Sequence, residues 1–265
     1  MDSIEHGIGE VGYRHIDTAC IYKNEEQVGE AIKRCVDKGK VTRAELFVTT
    51  KLWHTQWEDV EAALKESLEK LQLDYVDCYL IHWPFMLLCK TPLHVLWPRL
   101  EACVDKGLTK AIGLSNFNLQ ITSDLLTYCR IKPVCCQIEL HPYNTQVEYV
   151  KFLLDHKIQP VAYSPVGRTG ALAEGQAEIA KQPLIVELAA KHGKSPCQVM
   201  LKWGLQRGHV VIPKAASEKN QKENFVVTAA DFMLTAEEVE QISQLPGNFR
   251  FFPTSTHYKA YNIFC

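Results

Sequence analysis

The chain has 265 residues, of which 46% are hydrophobic and 23% are charged, and its formal net charge at pH 7 is −2. This composition is typical of a globular protein and excludes a disordered chain. The nearly balanced charge gives no support for binding to nucleic acid or to an anionic membrane, and no apolar run reaches the roughly 18 residues that a membrane-spanning helix needs.

Seven largely apolar runs predict β-strands. They lie at 12–17, 45–51, 76–82, 110–115, 134–140, 159–164 and 209–213. The segments between them carry apolar residues at helical spacing. Apolar strands that alternate with helices are typical of a parallel sheet with covered faces. We therefore predict the α/β class, a parallel (β/α)8 barrel of the TIM type, in a single domain spanning 1–265.

A closed barrel of this type has eight strands, whereas seven are recognisable. Residues 3–13 predict a short helix that leads into the first of the seven runs. We therefore expect the first strand of the barrel to be missing from this chain, because it would precede Met1.

Polar residues predict where several helices begin. Pairs spaced as in a capping box occur at Asn24–Gln27, Thr55–Glu58, Thr145–Glu148 and Thr235–Glu238. The dipeptide Ser195-Pro196 predicts another start, because Pro is tolerated in the first helical turn. Pro98 lies inside a helical segment, so that helix is either kinked or begins near Pro98.

Four polar residues stand out by their position. Asp17, Lys51 and His82 end the runs GYRHID, ELFVTTK and VDCYLIH, and Tyr22 follows Asp17 by five residues. In a parallel α/β barrel the carboxyl ends of the strands meet at the face that carries the active site. We therefore expect these four side chains to lie together.

The ten cysteines are scattered, without a CxxC pair or the spacing of metal ligands. We predict reduced thiols that act as small apolar side chains, and no metal site. The first residues, MDSIEHGIGE, are polar and acidic and do not resemble a secretory signal. We predict a cytoplasmic protein.

Seven motifs occur in a fixed order between Gly12 and Asn224: GYRHIDTA-x-x-Y, TTKLW, LIHWP, IGLSNF, QIELHP, YSP and VIPK. In this order they resemble the aldo-keto reductases. The resemblance implies a monomeric oxidoreductase, similar to NADP-dependent alcohol dehydrogenase and aldose reductase, that reduces small aldehydes and ketones. It implies that Tyr22 is the general acid, that Lys51 lowers the pKa of Tyr22, that Asp17 holds Lys51, and that His82 orients the substrate oxygen.

The chain has no Gly-rich dinucleotide loop after its first strand, which argues against a Rossmann site. The resemblance implies instead an extended nicotinamide cofactor, NADPH, with NADH as the alternative. It implies that Ser115, Asn116 and Gln137 hold the carboxamide, that Tyr163 stacks on the nicotinamide ring, and that Ser164 lies near the pyrophosphate.

The resemblance extends to the adenosine end of the cofactor. Lys214 would meet the 2′-phosphate, Ser217 would start the helix behind it, and Glu223 and Asn224 occupy the positions that contact adenine in the family. The chain departs from the family at Ala215, where a Ser is usual, and at Asn220, where an Arg is usual. The loss of a bidentate Arg weakens the expected preference for NADP over NAD.

Aromatic residues follow two of the catalytic positions. We expect Trp53, Trp83, Phe85 and Phe117 to line an apolar substrate pocket, with ordinary barrel packing as the alternative. Two other functions stay open at this point. The chain is alternatively a catalytically weak sensor or regulatory protein that binds the cofactor, or an inactive truncated isoform, because the family's first strand has no counterpart here.

Overall fold

The structure is a computed structural model that describes residues 2–168, 177–229, 232–247 and 249–253. These residues form two compact units. The first unit comprises 1–136 and 216–221, and the second comprises 137–215 and 222–265. The single domain predicted for 1–265 stays a prediction.

Each of the seven predicted strands has a counterpart in the structure. The strands are β1 (His15–Asp17), β2 (Phe47–Leu52), β3 (Val76–Ile81), β4 (Thr109–Ser115), β5 (Cys135–Glu139), β6 (Gln159–Tyr163) and β7 (Val210–Val211). The seven predicted strands are therefore confirmed.

Strand pairing within each unit is parallel. In the first unit β1 pairs with β2, β2 with β3, and β3 with β4, and in the second unit β6 pairs with β7. Asp17 lies opposite Thr49, and Lys51 lies opposite Leu80. Every residue of β3 is buried, as expected for a parallel strand covered on both faces. Because the strands run in one direction, the carboxyl ends of β1, β2 and β3 share one edge of the sheet.

Helices alternate with the strands. They are α1 (Asp2–His6), α2 (Glu25–Asp37), α3 (Val60–Leu71), α4 (Met86–Cys89), α5 (Leu93–Asp105), α6 (Leu119–Leu126), α7 (Val147–Asp155), α8 (Pro183–His192), α9 (Pro196–Gln206), α10 (Glu218–Phe225) and α11 (Ala236–Ser243). A π-helical turn, Gly7–Val11, follows α1, and a 3-10 turn, Cys20–Tyr22, follows β1. No described helix is both long and apolar enough to cross a membrane.

Two of the predicted helix starts are confirmed in detail. Ser195 and Gln198 form a capping box at the start of α9, with Pro196 in the first turn. Thr235 and Glu238 form a second capping box at the start of α11. In each, the hydroxyl accepts a hydrogen bond from a backbone N–H that has no partner within the helix.

At the other three predicted helix starts a helix begins at or near the predicted residue, but no capping box is formed. Asn24 precedes α2, but its side-chain oxygen accepts from the Thr18 hydroxyl at 2.8 Å instead of capping the helix. Helix α3 is capped by Asp59, whose carboxylate accepts from the backbone N–H of Ala62 at 2.9 Å. Helix α7 follows Gln146, which adopts φ 43°.

Helix α5 settles the two alternatives for Pro98. The helix begins at Leu93, after Pro92, and continues through Pro98 to Asp105. A helix that begins near Pro98 is therefore excluded. Because Pro has no N–H, one hydrogen bond is lost in the middle of this helix.

The second unit has an apolar core of its own. Helices α8, α9 and α11 supply most of it. Its buried members are Tyr143, Ile179, Ile185, Leu188, Ala189, Val199, Met200, Trp203, Phe232, Leu234, Ile242 and Phe251. Residues 249–253, which come late in the chain, thus contribute Phe251 to the same core as these helices.

The nine cysteines within the described ranges are free. The part of the chain that the structure describes also contains no group of three His, Cys, Asp or Glu residues that could hold a metal ion.

Candidate active site

The four polar residues singled out in the sequence lie together in the first unit. Asp17 is the last residue of β1, Lys51 lies in β2, and His82 directly follows β3. Tyr22 closes the 3-10 turn after β1. The parallel pairing of the three strands brings their carboxyl ends to one edge, so the strand order itself brings the four side chains together.

Lys51 is the centre of this group. Its side chain is fully buried, and its ammonium donates to Asp17 Oδ1 at 2.5 Å and to the backbone carbonyl of Thr18 at 2.9 Å. Burial by itself lowers the pKa of Lys51, but Asp17 and Tyr22 together outweigh it and raise the pKa above its usual value. Lys51 is therefore held as a buried cation, which is stable only with such partners.

Tyr22 lies against this cation. The Lys51 ammonium is 5.1 Å from the centroid of the Tyr22 ring, and 49% of the tyrosine remains exposed. Burial raises the pKa of Tyr22, Lys51 lowers it and Asp17 raises it, and the net direction is upward. The effect of Lys51 on the pKa of Tyr22 therefore has the predicted sign, and burial outweighs it in the net shift.

His82 connects the polar group to aromatic residues. It is 7% exposed. Its ring meets the Tyr22 ring edge-on at 5.6 Å and the Trp53 ring at 5.3 Å between centroids. Its backbone carbonyl accepts a 2.9 Å hydrogen bond from Asn116 Nδ2. His82 is thus fixed between the tyrosine and the aromatic cluster.

The end of β4 carries two of the predicted cofactor-binding residues. Asn116 is buried and adopts φ 62°, a left-handed conformation that Asn tolerates better than most residues. Its side chain also donates to Ser115 Oγ at 3.1 Å. The hydrogen bond to His82 places both residues beside the catalytic candidates.

The four predicted pocket residues lie in the first unit but differ in exposure. Trp53 is partly exposed, whereas Trp83, Phe85 and Phe117 are buried. The Trp53 and Phe85 rings meet edge-on at 5.7 Å, and the Trp83 and Phe85 rings stack at 5.9 Å. Trp53 therefore has exposed surface next to His82 that a substrate could contact, whereas Phe85 and Phe117 have almost none. The pocket assignment stays a prediction.

Two contributors to this site are absent from the predicted set. The Thr18 carbonyl accepts from Lys51, and a backbone group leaves no signal in residue type. The His54 ring lies 4.8 Å from the Trp53 ring and 4.9 Å from the Phe85 ring. Its position next to Trp53 in the sequence is the only signal that could have identified it.

The remaining cofactor-binding candidates, with the exception of Ser217, lie in the second unit. Gln137 is buried in β5, and Tyr163 is partly exposed at the end of β6. Ser164 follows it with φ 49°. Lys214 is exposed after β7, and Glu223 and Asn224 are partly exposed in α10.

Ser217 lies in the first unit, directly before α10. Its hydroxyl accepts from the backbone N–H of Asn220 at 3.2 Å, which is the contact expected of a residue that caps a helix. The side chain of Asn220 is exposed on this first turn. The predicted role of Ser217 as the start of the helix is therefore reproduced in its geometry.

The residues present suit a nicotinamide cofactor. Asn116, directly after β4, and Gln137, in the middle of β5, each carry a side-chain amide of the kind that pairs with a carboxamide. Tyr163 has an accessible aromatic ring, and Lys214 is an exposed cation suited to a phosphate.

The chain is similar to known proteins over most of its length. The Aldo/keto reductase family model matches residues 4–246. The chain is 41% identical over 262 residues to aldo-keto reductase family 1 member A1 of Bos taurus, covering 91% of this chain and 80% of that protein. Identity to the Homo sapiens protein of the same name is 40% over the same length and coverage.

Solved structures are similar over almost the whole chain. The aldose reductase from Schistosoma japonicum has a TM-score of 0.88 at 33% identity, covering 98% of this chain and 88% of that one. A Bombyx mori aldo-keto reductase in complex with NADP has a TM-score of 0.86 at 38% identity, covering 98% and 87%. These similarities confirm the predicted α/β barrel class, and this chain belongs to the aldo/keto reductase family.

Proposed function

We propose that this chain reduces aldehydes and some ketones to alcohols with NADPH, and that Tyr22 is the general acid. The observation that carries the proposal is the position of the Lys51 ammonium, fully buried between the Asp17 carboxylate and the Tyr22 ring. A buried ion pair is costly to maintain. Its presence beside a half-exposed phenol at the edge of a parallel sheet favours chemistry at that phenol.

Hydride comes from the nicotinamide when the cofactor is bound. As the carbonyl oxygen gains negative charge, the Tyr22 hydroxyl donates a hydrogen bond to it and then its proton. The Lys51 ammonium stabilises the phenolate that remains, and Asp17 keeps Lys51 charged and in place. The His82 ring, which contacts Tyr22 edge-on, orients the substrate oxygen.

The chain offers a residue for each part of the cofactor. We assign Ser115, Asn116 and Gln137 to the carboxamide, and Tyr163 to the face of the nicotinamide ring. The remaining assignments are Ser164 to the pyrophosphate, Lys214 and the helix started by Ser217 to the 2′-phosphate, and Glu223 with Asn224 to adenine. The NADP bound by the Bombyx mori relative supports this choice of cofactor.

Preference for NADPH over NADH is proposed to be modest. Lys214 supplies a cation, but Ala215 and Asn220 supply neither the hydroxyl nor the guanidinium found in the family. A phosphate held by one Lys lacks the bidentate contact that Arg makes. A cytoplasmic location and a monomeric state stay predictions.

Two measurements on the purified chain test the proposal. Titration with NADPH, followed by quenching of Trp fluorescence, tests for binding, and loss of NADPH absorbance with an aromatic aldehyde tests for reduction. Binding with turnover supports the enzyme. Binding without turnover rejects the enzyme in favour of a cofactor-binding sensor, and absence of binding rejects both.

A further inference from the structure

Glu139, at the end of β5, is a fully buried carboxylate to which no role has been assigned above. Its Oε1 atom accepts from the backbone N–H of Phe251 at 2.6 Å and from His141 Nε2 at 2.9 Å. Its Oε2 atom accepts from the backbone N–H of Phe252 at 3.2 Å. A carboxylate this deeply buried is tolerated only when such hydrogen bonds replace water.

The backbone of Glu139 is tied to the same segment. Its carbonyl accepts from Asn144 Nδ2 at 2.7 Å and from Gln146 Nε2 at 2.8 Å. The oxygen of the Gln146 side chain in turn accepts from Arg250 Nη2 at 3.1 Å. The end of β5 therefore holds residues 250–252 through both its side chain and its main chain.

This segment contacts the last residue of β6 and the loop that follows it. The Phe252 ring meets the Tyr163 ring edge-on, with centroids 5.9 Å apart. The Phe251 ring packs so closely on Gly167 that a Cβ atom there would lie 2.8 Å from it. Glu139 thus holds the backbone from which the Phe252 side chain extends to the Tyr163 ring.

We propose that Glu139 is a positioning residue of the nicotinamide site, which holds Phe252 against Tyr163 and thereby sets the orientation of the Tyr163 ring. The inference rests on the proposed function, because it takes Tyr163 as the residue that stacks on nicotinamide. Glu139 itself touches neither substrate nor cofactor in this proposal. It acts through the hydrogen bonds that its carboxylate accepts from the backbone N–H groups of Phe251 and Phe252.

The test is Glu139→Gln, which keeps shape and size. An amide has one oxygen, so its NH2 group faces one of the two backbone N–H donors and that contact is lost. We expect amide hydrogen exchange at Phe251 and Phe252 to become faster. We expect NADPH to bind about tenfold more weakly, the equivalent of one hydrogen bond to a charged group.

A cofactor fragment separates positioning from general destabilisation. Adenosine 2′,5′-bisphosphate carries the adenosine end of NADPH and lacks nicotinamide, so its affinity for Glu139→Gln should stay within about twofold of wild type. Equal weakening of NADPH and of this fragment would show a merely structural role and overturn the proposal.

Two further variants keep the test decisive. Glu101→Gln is a matched control, because Glu101 is also buried and accepts two backbone N–H groups, from Arg130 and Ile131 at 2.8 Å each, but lies in α5. It should leave NADPH affinity unchanged.

Phe252→Leu keeps the backbone contacts and removes the ring, so it should weaken NADPH binding without faster exchange at residues 251 and 252. This second variant serves even if Glu139→Gln fails to fold.

The outcomes separate the two proposals. Wild-type protein that binds no NADPH overturns the proposed function and this inference with it. Wild-type protein that binds NADPH, together with unchanged affinity in Glu139→Gln or in Phe252→Leu, overturns the inference alone.

Discussion

The ammonium of Lys51 lies 2.5 Å from Asp17 Oδ1, and no part of the Lys51 side chain reaches solvent. The cation thus depends on its protein partners for the stabilisation that water would otherwise supply. The Asp17–Lys51 pair affects both stability and the proposed catalysis, because the charge of Lys51 also acts on Tyr22.

Asp17→Asn is expected to lower the free energy of unfolding by about 3 kcal/mol, because it leaves a buried charge without its counter-ion. The matched control is Asp37→Asn, which removes the partner of Lys33 in an ion pair whose two side chains are 57% and 59% exposed. Its expected cost is about 0.5 kcal/mol or less. Urea unfolding at neutral pH measures both, and equal small losses would contradict the importance of the buried pair.

Tyr22→Phe is expected to reduce aldehyde turnover by at least roughly 100-fold, because no hydroxyl remains to protonate the substrate oxygen. NADPH affinity should be nearly unchanged, since the ring is retained. Tyr75→Phe is the control, because Tyr75 also carries a hydroxyl with a lysine partner, Lys110 at 3.2 Å, but directly precedes β3, at the opposite end of that strand from His82. Retained turnover in Tyr22→Phe would remove Tyr22 from the role of the acid.

His209 is expected to make stability depend on pH. Its ring is buried against Trp203, and neither ring nitrogen has a hydrogen-bond partner among the described residues. Burial, and then the charge of Arg207, lowers the pKa of His209 from 6.5 to about 3. Below pH 6.5 the unfolded chain therefore binds a proton that the folded chain rejects until about pH 3.

This contribution to stability is present above pH 6.5 and is lost as pH falls toward the folded value. The expected loss is about 1.4 kcal/mol per pH unit within that window. His209→Leu should flatten the curve of unfolding free energy against pH by this amount, measured by urea unfolding at a series of pH values. His94→Leu is the control, because His94 is exposed, and it should leave the curve as in wild type. A curve for His209→Leu that also matches wild type would contradict the prediction.

Gln221 is expected to stabilise the first unit by joining two helices. Its amide donates to the backbone carbonyl and hydroxyl of Ser3 at 2.7 and 2.8 Å, and its oxygen accepts from His6 Nδ1 at 2.7 Å. Helix α10 is thereby tied to α1. Gln221→Leu should lower the free energy of unfolding by about 2 kcal/mol, because the partly buried Ser3 and His6 lose their hydrogen bonds to Gln221.

The control for Gln221 is Gln244→Leu, since Gln244 makes one exposed hydrogen bond, to Glu240 at 2.7 Å. It should change the unfolding free energy by about 0.5 kcal/mol or less. If both variants lose the same amount in urea unfolding, Gln221 does not act as the link.

The sequence by itself determined the elements and the location of the candidate site. Strands and the helices begun by Ser195 and Thr235 follow from local spacing and capping, which depend on neighbours a few residues away. The parallel strand order then places Asp17, Lys51 and His82 at one edge. The fold class and the family can be predicted from the same local runs, because each of the seven family motifs includes or follows a predicted strand.

Only the tertiary structure decided how these groups behave. The upward shift in the pKa of Tyr22 depends on how deeply its hydroxyl is buried, which cannot be predicted from the residue type. The Gln221–Ser3 contact joins residues 218 positions apart, and the Glu139–Phe251 contact joins residues 112 apart. Local patterns carry no information about such partners, because burial and long-range hydrogen bonds arise only when distant segments pack together.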